Sequence, residues 1–366
     1  MTLGNFFAVD RRAWHHVCGL GGINPAMAYL VMARGTGADN RTTAWSVNAV
    51  EQYTPIARSR AKAAIARLME THASKQISGG RHPRYKLTPA HEIPEIVEAA
   101  RSACDAVDWF APVPPNRVPK APQWVWLPNE LVTSTGAVGE LRPIALVHNS
   151  GDPMLLRLLV DLYHAQNLVD NGGISFRRGV WEEYSRVEIG RYAEFIIYGF
   201  LLTGTRWVNT KSDVTRCHLR ELTRKEKDAG EDAARDFWRR LDRLTDLGLV
   251  EWVPHLVTNE SDDAEIIHPY TDDLRELAHR TALAALTPAQ CDRAINHQHS
   301  LAPVRVIEGR DAQMVGVLRM RYRAKSSLTA AWIAVNQQRR KVYVAIYEGL
   351  LSRHTETENR RRAISR

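Results

Sequence analysis

Between Ala57 and Thr71, the residues Ser59, Arg60, Ala63 and Arg67 recur where a helix turning about 100° per residue would gather them on one face. Lys62 lies on the flank of that face and Arg58 in the first turn. The opposite face carries Ala61, Ala64, Ile65, Leu68 and Met69, the i, i+3, i+4, i+7, i+8 stripe of a helix packed on a core. The chemistry open to the polar face is recognition of a polyanion. A guanidinium can grip guanine O6 and N7 with both arms, and a side chain as small as Ala63 lets a helix approach a groove floor and touch a thymine methyl. Arg58 and Lys62 suit phosphates, which position a protein without reading sequence.

Such a helix needs a frame, and the flanking sequence supplies one in order. Pro25 opens a first helix that runs to Arg34 and stops at Gly35. After a loop and the short extended pair Thr42-Thr43, Ser46 can cap a two-turn helix reaching Tyr53, with Val47 and Val50 facing inward. Thr54-Pro55 breaks the chain, because a residue before proline avoids the helical region. Beyond the basic helix, Lys75 to Ser78, Gly79-Gly80 and Arg81 to Leu87 read as a hairpin, since paired glycines supply the positive φ of a tight turn. Lys75 would hold a phosphate, and Arg81, His82 and Arg84 near the tip could follow a backbone or enter a narrow minor groove. In this order, Pro25 to Pro89 resembles the winged-helix superfamily of DNA-binding domains, as found in small bacterial repressors and plasmid replication initiators. The resemblance is one of pattern and covers under a fifth of the chain; Ala57 stands where such proteins often have a capping Ser or Thr. It implies a module for double-stranded DNA.

The 366 residues carry a formal net charge of +8, unevenly spread: +8 over 1–88, −3 over 89–150, −6 over 151–302 and +9 over 303–366. Both ends are basic, which favours attraction to a polyanion, and one of them coincides with the basic helix. Cys18, Cys104, Cys217 and Cys291 lie far apart with no CxxC pair, so the sequence predicts neither a disulfide framework nor a zinc ribbon, and a cytoplasmic setting is expected. No apolar run is long enough to span a bilayer, and the first residues lack the order of a signal peptide.

Elsewhere the sequence predicts a helix from Pro94 to Val107, then an extended connection where five prolines fall within 112–122. From 124 to 270 it reads as a second, enlarged winged helix. The pieces are a helix from Pro153 to Gln166 capped by Asp152, a short strand from Ile174 to Arg177, and a long helix from Glu231 to Asp246. That last helix would bury Ala234, Phe237, Trp238, Leu241 and Leu244, and strands over Leu249–Val257 and Ala264–His268 follow it. The tip between those strands, 258–264, is acidic and would be repelled by phosphates. Arg235, Arg239 and Arg243 form an i, i+4 row on the long helix but lie among Asp236, Asp242 and Asp246, so the row fits a second DNA surface, a partner surface or simple intrahelical pairing. Ser327 to Leu351 reads as a helix and the basic tail beyond Thr355 as disordered.

The expected fold is mainly α with small β-hairpin wings: two winged-helix domains plus a helical C-terminal part. The boundaries are an arm over 1–24, the DNA-binding domain over 25–90, a helix and Pro-rich connector over 91–123, the second domain over 124–270, a helical part over 271–354 and a tail over 355–366. No catalytic residue, metal site or cofactor is assigned. Gly19 to Gly22 and Gly35 to Gly37 lack the lysine of a phosphate loop. His297, His299 and Cys291 do not complete a ligand set, His15-His16 reads as an exposed turn, and no histidine pair flanks an apolar residue as strand-nicking enzymes require. The expected partners are double-stranded DNA and a second copy of the chain, with no membrane. The first function is a bacterial transcriptional regulator; the alternatives are a plasmid or mobile-element replication initiator and a scaffold that binds only proteins.

Overall fold

The computed structural model describes residues 5–105, 120–134, 142–169, 172–219, 223–228, 232–261, 263–307 and 309–364. Two units share the chain in alternating segments: Met1–His164, His218–Val250 and Met320–Ser326 form the first, and Ala165–Cys217, Glu251–Arg319 and Ser327–Arg366 the second.

In the first unit, β1 (Phe6–Asp10) pairs antiparallel with β5 (Trp124–Pro128). Asp10 ends that strand buried, and its carboxylate accepts from the backbone N–H of Arg12, Ala90 and Gln123. It thereby caps α1 (Arg11–Cys18) and ties two distant loops to it. Next, α2 (Ile23–Arg34) is apolar on every side, Pro25 to Ala33 being buried without a break, as a central core helix must be. Against it pack α3 (Val47–Tyr53) and α4 (Arg58–Glu70). A three-stranded sheet of order β2 (Thr42–Thr43), β4 (Arg84–Leu87), β3 (Ser74–Ser78) is formed by a short strand between α2 and α3 and the hairpin that follows α4. Further on lie α5 (Pro94–Asp105), α6 (Glu130–Thr133), α7 (Pro143–His148), α8 (Pro153–Ala165), α10 (Arg224–Asp228) and α11 (Arg235–Asp246). Asp152 caps α8 as its position predicts, accepting from Met154 N at 2.9 Å, and also takes Arg240 Nε of α11 at 2.8 Å.

The second unit corrects the expected fold class. About a quarter of the chain is strand, and much of it lies in one six-stranded antiparallel sheet, so the fold is mixed α+β rather than helical with small wings. The sheet order is β11 (Ile266–Pro269), β10 (Val250–Val257), β13 (Gln313–Met320), β8 (Val180–Tyr192), β9 (Phe195–Val208), β12 (Ser300–Arg305). The hairpin β10–β11 is therefore the margin of a broad sheet and not the wing of a second winged helix. Its two longest strands, β8 and β9, fall where the sequence predicts no element. Two physical reasons hide them. Their turn, Ala193-Glu194, holds alanine at φ 50°, where a tight hairpin ordinarily shows glycine or asparagine. In β9, Phe195 to Phe200 is buried on both faces, while Leu201 to Thr205 is exposed, so no alternation marks the strand.

A small pair of strands, β6 (Gln166–Asn167) and β7 (Gly173–Ile174), stands where a longer strand to Arg177 is predicted. The short α9 (Asp213–Arg216) follows the long hairpin. Among the later helices, α12 (Asp272–Ala285) and α14 (Ser327–Ile364) enclose one core with the sheet through Leu274, Leu277, Ala278 and Tyr347. On another part of it, α13 (Pro288–Asn296), opened by a Thr287–Gln290 capping box, covers Ile189, Ile197 and Leu301. The region expected to be helical thus contributes two strands, and α14 continues to Ile364 through the tail expected to be disordered. The proline-rich connector lies, except for residues 120–122, outside the described residues.

His268 of β11 is wholly buried; its Nδ1–H donates to Pro269 O at 2.9 Å and its Nε2 lies 2.9 Å from the Tyr347 hydroxyl, which also reaches Pro303 O at 3.2 Å. Burial pushes its pKa down to about 4. The unfolded chain then takes up the proton first, so this contribution to stability is complete above about pH 6.5 and is lost as pH falls toward 4, about tenfold in the folding equilibrium per unit. His255, also buried and pushed down by burial and by Arg319, adds to the same trend. Thermal melts from pH 7 to 4 should therefore show a steep fall in Tm. His268→Gln should reduce the slope by about one proton; an unchanged slope would place the dependence elsewhere.

Candidate nucleic-acid interface

Ala61, Ala64, Ile65 and Leu68 are buried in α4 and Met69 is half-buried, which turns the other face outward. Arg58, Ser59, Arg60, Lys62, Ala63 and Arg67 are all exposed there, and Lys75, Arg81, His82 and Arg84 are exposed on the hairpin β3–β4. The hairpin turns over 79–83, where Gly80 takes φ 86°, and a register shift between Gln76 and Ser78 bends its first strand. Ile77, close to the tip, is 48% exposed, an apolar side chain among the cations.

Not all the cations are equivalent. Arg58 donates to Asn48 Oδ1 at 2.7 Å and to Glu51 Oε2 at 3.1 Å, which joins α4 to α3 and removes it from the free set. Arg67 lies 3.4 Å from Glu70 one turn on. Arg60, Lys62, Lys75, Arg81 and Arg84 have no carboxylate partner among the described residues. Ser46 and Ala57 occupy the cap positions of α3 and α4, but neither makes a side-chain capping bond, Ala57 having no acceptor to offer.

The orientation of α3, and through it of α4, is fixed by an aromatic clamp that spacing does not reveal. Trp45 and Tyr53, at the two ends of α3, stack with centroids 4.8 Å apart and planes 10° from parallel. Arg34 lies over Trp45 at 5.5 Å and Arg142 over Tyr53 at 5.2 Å, while Arg142 also donates to Gln52 O at 2.8 Å. The sequence predicts Gly35 as a helix stop. Its second role is clearance, since a Cβ there would sit 2.2 Å from Trp45 Cγ.

On α11, Arg235, Arg239 and Arg243 form the expected exposed row. Arg239 pairs with Asp236 at 3.4 Å, as intrahelical pairing requires. Away from this unit, Cys291, considered as a ligand with His297 and His299, has its thiol donating to Leu283 O at 3.4 Å.

The strongest polar constellation of the first unit is one that sequence reasoning missed. Asp161 of α8 has no exposed surface, and its Oδ1 accepts from Arg11 Nε at 2.7 Å and His15 Nε2 at 2.8 Å. Oδ2 accepts from His218 Nε2 at 2.9 Å, with Arg157 Nε 3.9 Å away. Arg157 also donates to His15 Nδ1 at 3.3 Å, which leaves His15 neutral with its proton on Nε2. Burial lowers the pKa of both histidines against the pull of Asp161. Burial alone would raise Asp161; hydrogen bonds from His15 and His218 and the charge of Arg11 prevail and hold it well below the carboxylate range. His15 thus belongs to a helix and a buried network, not an exposed turn. One sign was legible: in the helix predicted from Pro153 to Gln166, Asp161 falls three residues after Leu158 and seven after Met154, on the side where Met154, Leu155, Leu158, Leu159 and Leu162 make an apolar stripe.

No family model, curated protein or solved structure matches the chain.

Removing the charge at Asp161 would leave Arg11, itself buried, beside a neutral amide. Asp161→Asn should cost about 3–5 kcal/mol in chemical denaturation, the usual consequence of breaking a buried pair from one side. Replacing both partners, Arg11→Met with Asp161→Leu, should recover part of that loss. A single-variant cost below about 1 kcal/mol would mean that the network is dispensable.

Proposed function

We propose that this chain is a sequence-specific double-stranded DNA-binding protein that reads the major groove with α4 and acts as a transcriptional regulator. One observation carries the proposal: α4 and the hairpin β3–β4, which contact each other through β3, present Arg60, Lys62, Lys75, Arg81 and Arg84 exposed and without carboxylate partners among the described residues. The order of helix, strand, helix, helix and hairpin, closed by a three-stranded sheet, is what a winged helix-turn-helix needs to set its recognition helix in a groove, and it supports the same conclusion. In this arrangement Ser59, Arg60, Ala63 and Arg67 face base edges, with Arg67 exchanging Glu70 for the base. Lys62 and Lys75 hold phosphates, and Arg81, His82 and Arg84 follow the adjoining backbone or minor groove. Arg58 braces α4 from Asn48 and Glu51 rather than meeting DNA.

A replication initiator would draw support from two unlike winged helices in one chain. That support is gone, because β10 and β11 belong to the six-stranded sheet.

Selected binding sites should be palindromic if a second copy binds with two-fold symmetry. Arg60→Ala should cost about 1–3 kcal/mol at one base position and relax preference there, whereas Lys62→Ala should weaken all sequences alike and lower the salt slope by about one. Titration of variant sites at several salt concentrations separates the two. Uniform loss for Arg60→Ala would make it a phosphate contact, and no DNA affinity at low salt would overturn the proposal.

A further inference from the structure

In the second unit a cleft of about 300 Å3 opens against the outer half of the β8–β9 hairpin. Its wall is aromatic. Trp181 and Trp207 are direct cross-strand partners, with ring centroids 6.4 Å apart and planes 21° from parallel, and Trp207 remains 48% exposed. A register shift between Glu182 and Tyr184 breaks the alternation of β8, so that Glu183 and Tyr184, though adjacent, both line the cleft. Glu183 Oε2 accepts from Trp207 Nε1 at 2.9 Å, which holds the indole in place and leaves Oε1 free. From the β10–β11 loop comes a second carboxylate, Glu260, which accepts from Gln313 Nε2 at 3.3 Å. Neither carboxylate has an ion-pair partner among the described residues.

Among the described residues that line the cleft there is one cation, Arg177. It has no carboxylate partner among the described residues, and its Nε is buried without a hydrogen-bond acceptor. A buried donor left unmade is costly, and a guanidinium is the group best shaped to hold a carboxylate through two parallel bonds. Indole faces beside carboxylates attract an organic cation, through the ring quadrupole and through charge. Two carboxylates would repel a phosphate, so nucleic acid does not suit this cleft. Its volume lies at the small end of ligand sites, too small for a dinucleotide and adequate for a molecule of amino-acid size.

We propose that this cleft binds a small zwitterion of the amino-acid or betaine class. The organic cation of the ligand lies against Trp207 and Trp181 within reach of Glu183 and Glu260, and its carboxylate is held by Arg177. The site lies wholly in the second unit and does not rest on the nucleic-acid proposal.

Calorimetric titration of the full chain with glycine betaine, L-arginine, choline and acetate tests it. Betaine or L-arginine should bind, choline at least about tenfold more weakly than betaine, and acetate not measurably. Trp207→Ala should weaken zwitterion binding at least about tenfold. Arg177→Met should bring betaine down to the level of choline and leave choline unchanged, which a general loss of structure would not do. No response to betaine or L-arginine at tens of millimolar overturns the proposal. So does equal affinity for betaine and choline in the unmodified chain, or unaltered zwitterion binding in Trp207→Ala.

Discussion

A carboxylate with no exposed surface must be met by enough donors to replace its water, and Asp161 meets that demand with Arg11, His15 and His218. The requirement reaches well beyond one side chain. Arg11 and His15 bring in α1, whose start is capped by Asp10, and Asp10 in turn fastens the backbone at Ala90 and Gln123. His218 brings in a segment more than fifty residues downstream of Asp161. Packing of apolar surface supplies most of the driving force, but it tolerates small slips; a buried ion with directional bonds tolerates far fewer.

Set on that foundation, the frame around α4 explains how a surface rich in cations can be presented without distortion. A core helix apolar on every side, α2, gives α3 and α4 something to pack on, and the stack of Arg34, Trp45, Tyr53 and Arg142 holds both ends of α3. None of these groups draws on the exposed cations of α4 or the hairpin except Arg58. The side chains that hold the shape and the exposed cations are largely different ones, an arrangement that the proposed binding surface would need to keep its geometry while its own groups remain uncommitted.

Residues 25–90 were legible because local rules decide them, whereas β1 and α1 stand where only an arm is expected. A Pro start, a Gly stop, a Thr-Pro break, a 3.6-residue apolar stripe and a Gly-Gly turn each act within a few residues, and α2, α3, α4 and the hairpin lie within a few residues of where those signals put them. The exposure of Arg60, Lys62, Ala63 and Arg67 on α4 followed from the same periodicity. What the sequence concealed was non-local. The long strands β8 and β9 turn through Ala193 rather than a glycine, and they are buried by neighbours supplied from residues 300–305 and 313–320, so their environment cannot be read from their own pattern. Trp45 and Tyr53 meet because a helix lies between them, and Asp161 finds its partners 150 residues before it and 57 after it. The single local trace of that network, an acid in an apolar stripe, is easily taken for a tolerated exception.

The alternation of segments between the two units has a further consequence, in the order of biosynthesis. The first unit draws on residues as late as 320–326, and the second opens at 165 and continues to the end of the chain. Neither unit is therefore complete when the stretch that begins it has left the ribosome, and the usual course, in which an N-terminal domain folds before the next is made, is closed to this chain. Arg11 and His15 emerge before Asp161 and must wait for it, and Asp161 for His218, so that a nascent chain carries an incomplete charge network across the roughly two hundred residues from Arg11 to His218.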